Sequence, residues 1–220
     1  MTKVIKTVLI TGSEGFIGKN LTKEIELDAN YKLTFFNKKD KLEKLEEFIN
    51  SSDFIIHLAG VNRPKKEKQF NIHNADLTEK ICILIKKKYI KSLKKTPIIF
   101  TSSIQVNQDN QYARSKLKAE SYLKSLFEKI SNPVVIYRLP GVFGKWCKPN
   151  YNSVVATFCH NIAKGLDINI HDENKNLKLV YIDDVLKDFL FILKNFPNNL
   201  TFVDINPQYN INLKELADLI

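Results

Sequence analysis

Tyr112 and Lys116 stand four residues apart in Tyr112-Ala113-Arg114-Ser115-Lys116, a stretch that reads as helix. At that spacing both side chains lie on one helical face. An ammonium beside a phenol favours the phenolate and lowers the tyrosine pKa. Such a tyrosine can give or take a proton near neutral pH. A hydroxyl is available just upstream. Pro97-Ile98-Ile99-Phe100-Thr101-Ser102-Ser103 reads as a strand ending in two serines, either of which can orient a substrate oxygen. The Tyr-x-x-x-Lys pair alone is weak, because the two residues often meet at that spacing by chance. Its weight comes from the elements that precede it.

The first of these is Thr11-Gly12-Ser13-Glu14-Gly15-Phe16-Ile17-Gly18, between the apolar run Thr7-Val8-Leu9-Ile10 and the helical Lys19–Ile25. A glycine turn between a strand and a helix is the context in which such glycines carry meaning. Gly12 permits the tight turn, Gly15 lets backbone N–H groups approach a pyrophosphate, and Gly18 lets the helix pack closely on the strand. The helix start adds unpaired N–H donors and the positive end of the helix dipole. The spacing is G-x-x-G-x-x-G rather than the commoner G-x-G-x-x-G, and a glycine turn without a ligand is the alternative.

Lys32–Phe36 reads as the second strand. An acidic residue at its end would accept from a ribose 2′-OH and favour NAD. Asn37-Lys38-Lys39 stands there instead. Two lysines suit a 2′-phosphate and favour NADP(H); surface lysine is the plainer reading. Asp53–Gly60 reads as a buried strand ending in Ala59-Gly60, small residues that let backbone approach a ligand at the carboxyl edge of the sheet. His57, inside that strand, is expected to be a packed core residue.

These motifs sit on alternating strands and helices. Helices are predicted over Asp40–Asn50, about Glu67–Lys91, the region of Tyr112, Ser153–Gly165, Asp184–Asn195 and Leu213–Ile220. Further strands are predicted at Pro133–Arg138, Asp167–Ile170, Leu177–Ile182 and Leu200–Ile205, with an irregular stretch from Leu139 to about Asn152. The alternation argues for an α/β fold with a doubly wound, mainly parallel, Rossmann-like sheet. One domain over 1–220 is expected: a cofactor-binding core over about 1–140 and a small C-terminal substrate-binding lobe over about 141–220.

Composition narrows the class. The 220 residues are 44% hydrophobic and 26% charged, ordinary for a globular protein. No apolar run reaches membrane-spanning length and no secretory signal is visible, so no membrane partner and a cytoplasmic location are expected. Three cysteines, an odd number without C-x-x-C spacing, argue against a disulfide framework or a zinc site. The net charge of +10 raises a nucleic-acid-associated or non-catalytic nucleotide-binding protein as a rival. The lysines are spread, however, and the dense run Lys86–Lys95 reads as a solvated helix face. No nucleic-acid partner is expected.

Taken in order, TGSEGFIG (Thr11–Gly18), HLAG (His57–Gly60), Ser102-Ser103, YARSK (Tyr112–Lys116), RLPGVFG (Arg138–Gly144) and YIDDV (Tyr181–Val185) resemble the extended short-chain dehydrogenase/reductase family. The resemblance implies Tyr112 as acid/base, Lys116 as its partner and a nicotinamide-ribose ligand, and Ser103 on the reacting oxygen. Cofactor contacts fall on Gly12, Gly15, Phe16, Ile17, Gly18, Asn37, Lys38, Leu58, Ala59, Gly60 and Lys116. Asn74 falls where the family has a supporting helical asparagine, or is simply a polar helix residue. A homodimer through helices in 67–91 and 112–130 is common in the family.

LAGVNRP (Leu58–Pro64), SSIQVNQDNQY (Ser102–Tyr112) and FGKWCKPNYNSVVATFC (Phe143–Cys159) are similar to the capsular-polysaccharide enzymes of the CapF group. That similarity implies NADPH-dependent reduction of the 4-keto group of a UDP-2-acetamido-2,6-dideoxy-hexos-4-ulose. Arg138, Lys145, Lys148, Asn152 and Ser153 become candidate substrate contacts, with Trp146 and Tyr151 either walling a ring or packing the lobe. Gly141 stands where many family members have Asn, and Leu177-Lys178 where many have Arg. CapF continues into a cupin domain that epimerises C3. No such domain follows here, so an L-rhamno product is expected if 220 residues is the full length; the end inside a predicted helix leaves truncation open. A nucleotide-sugar 4-epimerase or a dehydratase is the near rival. No metal is expected.

Overall fold

A computed structural model describes residues 5–170, 172 and 175–220. Its first half alternates without exception: β1 (Lys6–Thr11), α1 (Phe16–Glu26), β2 (Tyr31–Phe36), α2 (Leu42–Ser51) and β3 (Phe54–His57). A short α3 (Lys68–Phe70) then runs through a π-helical segment, Asn71–Asp76, into α4 (Leu77–Ser92). After β4 (Ile98–Ser103), a 3-10 turn and α5 (Gln111–Ile130) lead to β5 (Val134–Leu139). The remainder comprises β6 (Gly141–Phe143), α6 (Val154–Ala163), β7 (Asn176–Tyr181), α7 (Ile182–Lys194), β8 (Leu200–Val203), β9 (Tyr209–Asn212) and α8 (Leu213–Leu219).

The strands are apolar on both faces because both are covered. Six parallel strands form one sheet in the order β2-β1-β3-β4-β5-β8. On one face Val8, Ile10, Ile56, Ile99 and Val135 pack with Leu21 and Ile25 of α1 and with Val185, Leu186 and Phe189 of α7. On the other, Leu9, Ile55, Ile98, Phe100 and Ile136 pack with α2, α4 and α5. The period-2 alternation of strand side chains therefore decides which helix each residue meets. The carboxyl ends of β1, β3 and β4 carry the glycine turn, Ala59-Gly60 and Ser103, which brings distant motifs to one sheet edge.

The expectations differ from the structure in the last third. Asp167–Ile170 forms no strand. It follows Gly165 at φ +64°, Asn161 binds Leu166 N–H and Asp167 O, and among the described residues no strand pairs with it. The stretch expected to be irregular after Leu139 contains β6, and β9 was not expected at all. These two strands of three and four residues pair with β7, parallel and antiparallel respectively, in a separate small sheet. Segment 141–220 does not stand wholly apart, since β8 completes the main sheet beside β5 and α7 covers its face.

Candidate active site

The glycine turn has the shape that its spacing predicts. Gly12 adopts φ +75°, and a Cβ there would lie 2.8 Å from the backbone N and Cα of Ala59. At Gly18 a Cβ would run into the Gly12 carbonyl and lie 2.7 Å from Ser13 Cα. Turn, helix and β3 end are thus in backbone contact, which only glycine permits. Gly15 is the N-cap of α1, with no side-chain cap and no acid in the first turn. The first N–H groups of this helix remain available to an anion. Phe16 and Ile17 are half-buried against the core. Asn37 closes the other side: its Nδ2 donates to Ser13 Oγ at 2.9 Å, while its Oδ1 accepts from Ser13 Oγ at 3.2 Å and Glu14 N–H at 3.4 Å. Lys38 and Lys39 are exposed beside it. The cradle has the backbone shape and free donors that a dinucleotide phosphate requires.

The Tyr112 side of the site is built on a neighbouring element. Asn110 caps α5 by accepting from Ala113 N–H at 2.8 Å, which sets the first helical turn and Tyr112 with it. The Ser103 hydroxyl lies near enough to the Tyr112 phenol to favour its ionisation, and it accepts from Gln105 N–H at 3.1 Å. Lys116 is buried, donates to Thr101 O at 2.8 Å and lies 4.9 Å from the Phe100 ring centre. A Cβ on Gly60 would sit 2.9 Å from Asn74 Oδ1 and 3.3 Å from Lys116 Nζ, so these three groups converge at the end of β3.

The expected direction of the tyrosine shift is corrected. Burial raises the Tyr112 pKa above its ordinary value, and the Ser103 hydroxyl only partly opposes this. Lys116 directs its ammonium to the Thr101 carbonyl instead. Its own pKa is pulled down to about 8 by burial, against an upward pull from Glu120. Without ligand, Tyr112 is held protonated, the state an acid needs.

Asn74 is more than a polar helix residue. Its Oδ1 accepts from Val61 N–H at 2.8 Å, and its Nδ2 donates to Val61 O at 3.0 Å and Ser115 Oγ at 2.9 Å. It ties the loop after β3 to α5 between Tyr112 and Lys116. The π-helical turn that carries it is where a helix departs from regular bonding, a feature often found at functional sites. His57 is fully buried, as expected, and its pKa is pushed down to about 3 by burial and then by the Lys116 charge. Thr78 Oγ1 gives its hydrogen to Asn74 O at 2.6 Å. His57 Nε2, 2.9 Å from Thr78 Oγ1, is therefore the protonated nitrogen, and Nδ1 accepts from Thr11 Oγ1 at 2.6 Å. Thr11 Oγ1 in turn accepts from Ala59 N–H at 3.2 Å. This buried chain joins the glycine turn to the Asn74 helix. Thr11, Thr78 and Ser115 escaped the sequence reading because their long-range partners lie 21 to 48 residues away.

Arg138 is not placed as a substrate contact. Its Nε and a terminal nitrogen donate to the two Glu120 oxygens at 3.1 and 2.7 Å, and its guanidinium lies 5.0 Å from the Phe202 ring centre. The other residues proposed for substrate lie on one surface segment. Lys145, Lys148 and Asn152 are exposed, while the Ser153 hydroxyl caps α6 by accepting from Ala156 N–H. Trp146 and Tyr151 are 51% and 41% exposed, so neither packs a lobe; Lys145 and Lys148 lie over their rings. Buried Asn20 of α1 donates to Lys145 O at 2.9 Å and docks this segment on the glycine-turn helix. A surface cavity of about 570 Å³ between Trp146, Ser13, Lys19 and Phe35 opens there. Among the described residues no group of three or more His, Cys, Asp or Glu side chains is placed to hold a metal, and no helix is long and apolar enough to cross a membrane.

Comparison with known proteins places the whole arrangement. The chain is 43% identical, over 96% of its length, to a UDP-2-acetamido-2,6-beta-L-arabino-hexul-4-ose reductase from Pseudomonas aeruginosa. It is 29% identical, over 84% of its length, to a UDP-glucose 4-epimerase from Vibrio cholerae, of which it covers 65%. The capsular polysaccharide assembling protein CapF from Staphylococcus aureus superimposes with a TM-score of 0.82 at 38% identity, over 96% of this chain. The chain spans only about half of these larger relatives, 56% of the reductase and 57% of CapF. Residues 8–211 match the NAD dependent epimerase/dehydratase family, and the chain belongs to that family.

Proposed function

We propose that this chain carries the reductase unit of a nucleotide-sugar enzyme, reducing the C4 ketone of a UDP-2-acetamido-2,6-dideoxy-hexos-4-ulose with a nicotinamide dinucleotide. The observation that carries this reading is the buried Lys116, four residues along α5 from Tyr112, meeting Asn74 and Gly60 at the same sheet edge as an uncapped glycine turn. The bound dinucleotide supplies the hydride. Tyr112, held protonated by burial, gives its proton to O4 as that oxygen gains charge. Ser103 orients the ketone oxygen by hydrogen bonding. Lys116 stabilises the phenolate left behind, and Asn74 fixes the helix turn between them. The identity to the Pseudomonas reductase supports the substrate class. NADPH is the proposed donor, because Asn37 replaces an acidic ribose ligand and Lys38 and Lys39 offer charge for a 2′-phosphate. A UDP-sugar diphosphate suits the cations Lys145 and Lys148, with Asn152 beside them.

The same fold serves epimerases, and the Vibrio relative keeps that reading alive. Ile104 and Gln105, exposed after Ser103, supply no acidic pair for a dehydratase. The test is NADPH consumption with the UDP-4-keto sugar, for wild type and Tyr112→Phe. Turnover that falls by about 10²–10⁴-fold in the variant supports the reductase and its acid. Interconversion of the C4 epimers of a UDP-N-acetylhexosamine, without net oxidation or reduction of dinucleotide, would instead establish an epimerase.

A further inference from the structure

Glu120 is fully buried on α5, one helical turn beyond Lys116. Its Oε1 accepts from Ser102 Oγ at 2.6 Å and Arg138 Nε at 3.1 Å, and its Oε2 accepts from the Arg138 guanidinium at 2.7 Å. Ser102 and Arg138 are register partners on β4 and β5, so both reach the same point of α5. A buried carboxylate is costly unless paired and hydrogen-bonded, and this one has three donors. Its neighbours give it a position relative to the reaction. Ser102 directly precedes Ser103, and Lys116 shares its helix face at the i, i+4 spacing.

Lys116 is itself a charge in a dry place. His57 faces it from β3 and is neutral; Tyr112 and Glu120 face it from α5; Arg138 of β5 lies behind Glu120. Around its ammonium are otherwise the Thr101 carbonyl, the Phe100 ring and Asn74 Oδ1. We propose that Glu120 is a positioning residue for the reaction, its carboxylate serving as counter-charge to the Lys116 ammonium and, through Ser102, holding the strand end that presents Ser103. The inference rests on the tyrosine–lysine reading above. Burial lowers the Lys116 pKa to about 8 and Glu120 works against that fall. Loss of the carboxylate removes that opposition, so the lysine gives up its proton at lower pH.

The test is Glu120→Gln in the full chain, with two readouts. NMR of protein carrying ¹³C-labelled lysine, with the Lys116 signal assigned by its loss in Lys116→Arg, follows the Lys116 titration directly. Its midpoint is expected to fall by about one pH unit or more, the size of a nearby opposite charge in a protein interior. The alkaline limb of the pH–rate profile should move down with it, and Glu120→Asp should return both towards wild type. Should Glu120→Gln fail to fold, Glu120→Gln/Arg138→Met removes the pair without stranding a charge and is expected to lower the midpoint by less, since the more distant Arg138 cation leaves with the carboxylate. A folded variant whose Lys116 midpoint and alkaline limb match wild type overturns the proposal, even if its rate is uniformly lower. Failure of the tyrosine reading appears separately, as full activity in Tyr112→Phe.

Discussion

Replacing Arg138 with Met separates two roles open to one arginine. A substrate contact would cost affinity and leave the fold alone. The structure instead has Arg138 bonded through two nitrogens to Glu120, whose side chain is 0% exposed. Removing one partner of a buried ion pair typically costs about 3–5 kcal/mol, because the other charge stays buried without compensation. The Arg138 side chain is 32% exposed, so water can reach part of the vacated space, and Ser102 still donates to Glu120. The lower end, about 3 kcal/mol, is expected. For a chain of this size that corresponds to a fall in Tm of roughly 6–12 °C. Urea unfolding measures it, with an unchanged m-value showing that the unfolded state is the same. The double variant Glu120→Gln/Arg138→Met should regain most of the loss, since neither charge is then stranded. Arg138→Met within about 1 kcal/mol of wild type, together with a KM raised tenfold, would refute the structural assignment.

Two further perturbations probe the cradle and its support. Gly12→Ala combines an unfavourable φ of +75° with a methyl 2.8 Å from Ala59 backbone. Strain and overpacking together predict a loss of about 2–4 kcal/mol and weaker dinucleotide binding by calorimetry; unchanged stability would mean that the turn relaxes freely. His57 contributes pH dependence with a definite sign. Its folded pKa, about 3, lies below its unfolded value of 6.5. Its contribution is complete above pH 6.5 and is lost as pH falls towards 3, at about 1.4 kcal/mol per pH unit. Urea midpoints taken from neutral pH to about pH 5 should fall less steeply in His57→Asn than in wild type; parallel curves would show that His57 takes up its proton while folded.

Much of the fold could be read from the chain because the signals are local. Apolar runs and 3.6-residue periodicity specify each strand and helix of the parallel core. Glycine spacing specifies the turn, and four-residue spacing puts Tyr112 and Lys116 on one helix face. Residues that work through partners far along the chain were not readable. Arg138 looked like a substrate ligand until Glu120, eighteen residues earlier, was seen to hold it. The same long-range contacts turned Asn74 from a polar helix residue into the tie between β3 and α5. β6 and β9 exist only because β7 pairs with them, while Asp167–Ile170 pairs with no strand among the described residues. Even the direction of the Tyr112 shift was a tertiary matter. Proximity to lysine along a helix is a property of sequence, but burial and the carbonyl that captures the ammonium are properties of the packed chain. Local geometry selects which groups can meet; desolvation and long-range hydrogen bonding, present only in the folded state, decide their charge and their partners.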